Sequence, residues 1–364
     1  MKNPTIDEIL QSIYMGYVYP TFDAFGNVNG NLSCDIGNGS ILQWLKLAED
    51  FVASAAKSDK AFDIDKGMEG MVLKKKNHCG TLFYDLCGHL RGLSNPPQHE
   101  MSEEAKILSD NAIKLGLHLA NFTGNPLSII SAGVLEGDLI NSLVTRTRES
   151  LKRPRYKKHL QARKKEVTQN IIRTTRYFNR LSVNHPNLYV VRIYFGYQLE
   201  HASGITLVDT NEHLIKFVEA FNTGLANGFQ VGWWCKRGYM TEVGYSYHFI
   251  LLFDGQKTPS HNNFVNDLGS QWNSVVGDKG TFVTSVYDVH NHKTWATGFL
   301  QQGYLSNLEN LLLSIKLMLM QDIYLKLHNG DKFPHINMGS LPKLLASPAS
   351  YMQSALDIQK LLNV

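Results

Sequence analysis

Hydrophobic and polar positions change rhythm once along this chain. Up to about residue 181 the apolar residues recur at helical spacing, and from Leu188 they gather into strand-like runs. Ile6 to Tyr14 reads as a short helix behind a Thr5 cap, with Glu8 three residues on. Ile41 to Ala56, capped by Ser40, is strongly amphipathic, and Ser102 to Leu115 and Pro126 to Leu143 add further helices. A helix from about Arg155 to Leu181 follows Pro154, which breaks the preceding run. Its Val167, Ile171, Ile172, Phe178 and Leu181 form one packing face.

The second half is punctuated differently. Leu188 to Tyr197 is β-branched and aromatic, and Phe229 to Glu242, Tyr245 to Asp254 and Thr281 to Val286 read as three more strands. Helices are expected at Asn211 to Leu225, behind Asp209-Thr210, at Asn262 to Val276, and at Ser306 to Leu327, with two short helices at the C-terminal end. The third strand ends in an uninterrupted apolar run closed by Asp254-Gly255, the pattern of a central strand buried on both faces. The whole is an α+β chain with a ferredoxin-like (βαββαβ, split βαβ) antiparallel sheet, helices on one face and the other face open to a ligand. Four regions follow: a mainly helical part at 1–145, a basic connector at 146–181, the α+β part at 182–330, and a helical tail at 331–364.

Composition alters this picture little: 43% apolar and 19% charged residues are ordinary for a globular chain. The four cysteines and the absence of a signal-like start point to free thiols in the cytoplasm, and no apolar run is long enough for a membrane span. Charge alters it more. The net charge is +4, yet Arg146 to Arg180 carries thirteen Lys or Arg against Glu149 and Glu166, a local +11 that leaves −7 elsewhere. Concentrated cations attract a polyanion because each one placed near a phosphate releases a condensed counterion. Arg153, Arg155, Lys157, Lys158, Arg163, Lys164 and Lys165 are therefore nucleic-acid candidates, and the bland alternative is a solvated linker helix.

Other chemistry is sparse. The glycine-rich stretches Gly26 to Ser33 and Gly37 to Ser40 lack the Lys-Ser/Thr of a phosphate cradle. Cys79, Cys87, His78 and His89 lack paired zinc-ligand spacing. Trp233-Trp234-Cys-Lys236-Arg237 sets aromatic rings beside cations, a sequence-tolerant way to hold unpaired bases, with Arg192 and Tyr194 on the neighbouring strand. Strand alternation sends one of the two tryptophans into the core. His248 is the one ionisable side chain within the central strand, and Glu242 stands just before it.

Four pieces in order, Leu188-Tyr-Val-Val-Arg-Ile, Glu242-Val-Gly-Tyr-Ser-Tyr-His-Phe-Ile-Leu-Leu-Phe-Asp-Gly, Leu268-Gly-Ser-Gln-Trp-Asn, and Asp322-Ile-Tyr-Leu-Lys-Leu followed by Met338-Gly-Ser, make the segment from about Tyr189 to Gly339 resemble the inovirus (filamentous-phage) replication-protein family. Bacterial relatives of that family carry the YagK/YfjJ C-terminal domain. The resemblance implies a rolling-circle initiator fold, in which a His-hydrophobic-His strand holds a divalent ion, Mg or Mn, and a tyrosine nicks one DNA strand. This chain reads Ser246-Tyr-His248 at the first motif and Leu317-Met-Leu-Met320 where the family has Tyr-x-x-Lys. What it implies here is a binder of single-stranded or hairpin DNA, or of RNA, with a degenerate nicking centre, serving a mobile element, prophage or phage-defence system. An alternative is a nicking enzyme with Glu242 and His248 as metal ligands and Tyr324, or Tyr304, as a displaced nucleophile. Another is a protein-interaction module working through the N-terminal helices.

Overall fold

A computed structural model describes residues 5, 8–9, 18–22, 28–33, 38–67, 70–90, 98–131, 133–224, 228–240, 244–257, 261–284, 298–301, 305–328 and 333–340. Glu242, Tyr304, the two expected C-terminal helices and most of the expected helix from Ile6 to Tyr14 lie outside those residues.

The first half gathers helices α1 (Asn38–Ala55), α2 (His78–Cys87), α3 (Glu103–Lys114) and α4 (Glu136–Lys152) round one core that includes Trp44, Phe51, Phe83, Leu108 and Leu143. Ser102 caps α3 by accepting the Ala105 N–H at 3.1 Å. The half is less purely helical than its pattern suggests. Hairpins β1–β2 (Val18–Phe22, Val28–Ser33), β3–β4 (Phe62–Gly67, Gly70–Lys76) and β6–β7 (Ile129–Ser131, Val134–Leu135) interrupt it. β5 (His99–Met101) instead reaches across to pair with β13 (Leu325–Leu327), and Leu325 enters the N-terminal core, so the two halves are joined by backbone pairing and by burial.

At Arg153 the backbone leaves the helical region, and Pro154 begins α5 (Pro154–Asn184), a 31-residue helix. Proline suits a first helical turn because its missing N–H has no partner there in any case.

The second half is built on β8 (Asn187–Tyr197), β9 (Gln230–Met240), β10 (Gly244–Asp254), β11 (Gly280–Thr284), β12 (Gly298–Gln301) and β14 (Ile336–Met338). The strands run in the order β11-β8-β10-β9-β14 with every neighbour antiparallel, and β12 continues the pairing along the other end of β8. After a single helical turn, α6 (Leu199–Ala202), come α7 (Leu207–Thr223), α8 (His261–Val275) and α9 (Leu305–Tyr324). The cap of α7 is Thr206, three residues ahead of the expected Asp209-Thr210. Thr206 and Asp209 close a reciprocal capping box, with bonds of 3.2 and 2.9 Å.

One expectation is overturned here: the sheet has no open face. Tyr189, Val191, Phe195, Phe249, Leu251 and Phe253 point to the side covered by Phe217 and Phe221 of α7 and by Leu268 and Trp272 of α8. Val190, Trp234, Ile250 and Leu252 point to the other, which is covered by α5 and α9 through Phe178, Leu181, Leu311 and Ile315. From Gly244 to Phe253, β10 is buried at every position. Its continuous apolar run signalled this double cover, and that signal outweighs the βαββαβ order, which leaves one side bare.

Candidate functional site

The cations of α5 divide by helical phase. Val167, Ile171, Phe178 and Leu181 are buried against the sheet, while Ile172 is half-buried at the margin. On the opposite side Arg155, Lys158, Lys165, Arg173 and Arg176 are all exposed. At about 100° per residue these five fall within about 80° round the axis, and at 1.5 Å per residue they extend over about 30 Å. Arg153, Lys157 and Lys164 are exposed as well but lie round the helix from this stripe. Glu166 is the single acid of α5, and both its oxygens are taken by Lys326 Nζ at 2.7 Å.

Arg163 corrects the expectation that the whole basic run faces solvent. It sits four residues before Val167 on the apolar side and is buried. Its guanidinium donates to the carbonyls of Asp322 (2.6 Å), Met101 (2.6 Å) and Glu100 (2.8 Å), so it ties α5 to α9 and β5. Its fork is spent on backbone and cannot meet a phosphate.

Beneath α9 lies a strip of polar side chains on the sheet. Cross-strand register sets Tyr194, His248 and Lys236 directly opposite one another on β8, β10 and β9, with Ile336 of β14 beyond. Arg192 is buried on the same side. Its Nε donates to His248 Nε2 at 3.1 Å and its Nη1 to Ser314 Oγ of α9 at 3.1 Å. Because Nε2 accepts, the neutral ring carries its proton on Nδ1. Burial first, then the charges of Arg192 and Lys236, hold the imidazole well below its ordinary pKa. Burial also lowers Arg192 to about 10, which leaves it charged at neutral pH, and pushes the Tyr194 phenol up to about 12.

Lys236 is half-buried and bonds the Met318 carbonyl and Asp322, the latter at 2.9 Å. Asp322 also meets His335 Nε2 at 2.8 Å. Burial by itself would raise the Asp322 carboxyl, but Lys236 and His335 outweigh it and hold the group below the usual carboxylate range.

These surroundings do not suit a divalent ion at His248. The lone pair that would bind one already accepts from a guanidinium, and two cations stand beside it. Among the described residues no three His, Cys, Asp or Glu side chains converge on a common point.

Tyr324 lies apart from His248. It packs against the N-terminal core, and burial, with Glu49 and Glu104 nearby, pushes its phenol up to about 12. Of the remaining candidates, Trp234 is fully buried, with its indole N–H on Thr174 Oγ1 at 3.3 Å, and Trp233 is half-buried on the opposite face of the sheet near Phe249. Arg237 is also fully buried, bonded to Tyr247 Oη at 3.2 Å and to Asn211 Oδ1 at 3.4 Å. Arg192, Arg237 and Trp234 thus serve packing rather than an exposed base-stacking platform, since a doubly covered sheet leaves its central positions nowhere to meet a strand.

Sequence reasoning passed over Arg173 and Arg176 as site residues, although their phase on α5, opposite Val167 and Phe178, marks them as exposed. It also passed over Asp322 and His335, for which no local signal exists, because their pairing depends on β14 returning to the edge of β9.

No family model, curated protein or solved structure matches this chain.

Proposed function

We propose that this protein binds nucleic acid, single-stranded or hairpin DNA in the first place, along the exposed stripe of α5. We further propose that its second half is a replication-initiator-type fold without a working nicking centre. The observation that carries the first part is the stripe itself. Five exposed cations lie on one side of a long helix whose opposite side is held to the N-terminal half through Tyr156 and Arg163 and to the sheet from Val167 on. A phosphate backbone of matching length meets fixed charges there, and no loop has to be ordered first.

Three features support the second part. The order β11-β8-β10-β9 and its antiparallel pairing agree with a ferredoxin-like split βαβ sheet, to which β12 and β14 are added. α9 crosses the face that holds His248, and its residues 317 to 320 supply Leu and Met side chains, which cannot attack phosphorus. The one tyrosine at the end of α9, Tyr324, is desolvated and resists ionisation, so it makes a poor phenolate.

The test is retention of labelled single-stranded and hairpin DNA, beside RNA of the same sequence, with Mg and Mn present or absent. The expected result is retention at low salt with the DNA uncut under every condition. A DNA-linked protein that forms with the metal and disappears in Tyr324→Phe would establish the enzyme instead. Retention of no nucleic acid at any salt concentration would leave the interaction module.

A further inference from the structure

Beside the stripe, where α5 passes β13 and the start of β14, a cleft of about 470 Å³ opens between the two halves of the chain. Arg173 belongs to both features: it is the stripe's fourth cation and part of the cleft wall. Glu166 and Asn170 precede it by two turns and one turn of α5, and Lys326, Phe333 and His335 close the opposite side.

Its size falls in the range of small-molecule sites. Its charge argues against a bare phosphate, because Lys326 is neutralised by Glu166 at 2.7 Å and Glu100 also lies in the wall. Such a mixture of signs suits a neutral, planar group that carries both donors and acceptors. Phe333 is half-exposed and offers a face for stacking, and the Asn170 amide can both donate and accept. Asp322 fixes His335 in the wall, meeting its Nε2 at 2.8 Å. Acceptors in the cleft include the Asn170 Oδ1 and the lone pairs of Glu166 that Lys326 leaves unused, and they match an exocyclic amino group, the feature that separates cytosine from thymine.

We propose that this cleft receives a single nucleobase turned out of the strand that lies on the stripe, and that it favours bases bearing an amino group. The inference rests on the nucleic-acid reading of α5 and adds to it a place where sequence is sensed.

The experiment measures binding of dC15 and dT15 oligonucleotides to the full chain at fixed salt. Four forms are compared: wild type, Phe333→Ala, Asn170→Ala, and a stripe variant combining Arg155→Gln, Lys158→Gln and Lys165→Gln. Stacking and hydrogen bonding of one base are worth on the order of tenfold in affinity, so wild type is expected to hold dC15 about tenfold tighter than dT15. Phe333→Ala should bring dC15 close to dT15, and the stripe variant should weaken both alike. Equal affinities in wild type, or a preference that survives both Phe333→Ala and Asn170→Ala, would overturn the cleft and leave the stripe standing. If wild type retains neither oligonucleotide, the stripe reading falls. Deoxycytidine monophosphate then decides the cleft alone by saturation-transfer NMR: contacts that vanish in Phe333→Ala preserve it, and their absence in wild type overturns it.

Discussion

Arg163 shows how far a single residue departs from its neighbours. In the run Arg163-Lys-Lys165 nothing in composition separates the first from the rest, yet only Arg163 shares the phase of Val167, and it is buried with three carbonyl partners. Arg163→Ala strands those carbonyls, and we expect a loss of roughly 3 kcal/mol or more in urea unfolding. Lys165→Ala, on the exposed stripe, should stay within about 0.5 kcal/mol. His248 and His99 are two of the imidazoles, with His185 and His213, that resist protonation in the folded chain. Burial lowers both, His99 to about 4, so below pH 6.5 the unfolded chain takes up protons that the folded chain refuses. Their contribution is complete above that value and is lost as pH falls toward the folded values. Asp322 is also held low, but its contribution is lost only below the ordinary carboxylate pKa, outside this window. Stability from His99 alone should drop by about 2 kcal/mol between pH 7 and pH 5. Over the same range Glu49, whose carboxyl burial pushes up to about 7, shifts stability the other way, so the His99 contribution is read as the difference in urea-midpoint slope between wild type and His99→Gln. Equal slopes for wild type and His99→Gln would show that the His99 imidazole is not buried in its neutral form.

Elements were legible in proportion to how much apolar surface they bury. β8 and β10 carry near-continuous apolar runs and lie within one residue of where the sequence put them, as does α8. The hairpin β3–β4 escaped notice because most of its positions are exposed and its alternation, Phe62-Asp-Ile-Asp65, lasts only four residues before the charged Lys66 and the lysines of β4. What α5 does was half legible. Its apolar stripe named the packing face, but only the fold shows that this face closes the sheet. The closeness of that contact can be tested at Gly232 of β9, where an added Cβ would stand 2.5 Å from Tyr177 Oη and 2.6 Å from Leu181 Cδ1. Gly232→Val should push α5 off the sheet and cost about 1–3 kcal/mol, measured by thermal or urea unfolding. A neutral effect would mean that the helix is held more loosely than its packing indicates.

For the molecule as a whole, the covering of both sheet faces moves any nucleic-acid surface outward, from the strands to the exposed side of α5. The candidate residues of the strands were chosen for chemistry that the fold consumes internally, and the sequence could not show this because α9 arrives from more than a hundred residues beyond β8 and more than fifty beyond β10. Those of the helix remain available. No helix among the described residues is long and apolar enough to cross a membrane. The central claim is electrostatic, so the most direct measurement is the salt dependence of binding to a single-stranded oligonucleotide, for wild type and for a variant with Arg155, Lys158, Lys165, Arg173 and Arg176 all changed to Gln. If the stripe carries the phosphates, log K should fall with log salt at a slope near −0.7 per contact. The five substitutions should then remove about 3.5 from that slope and most of the low-salt affinity, with the unfolding midpoint little changed. Equal slopes for the two proteins would contradict the account.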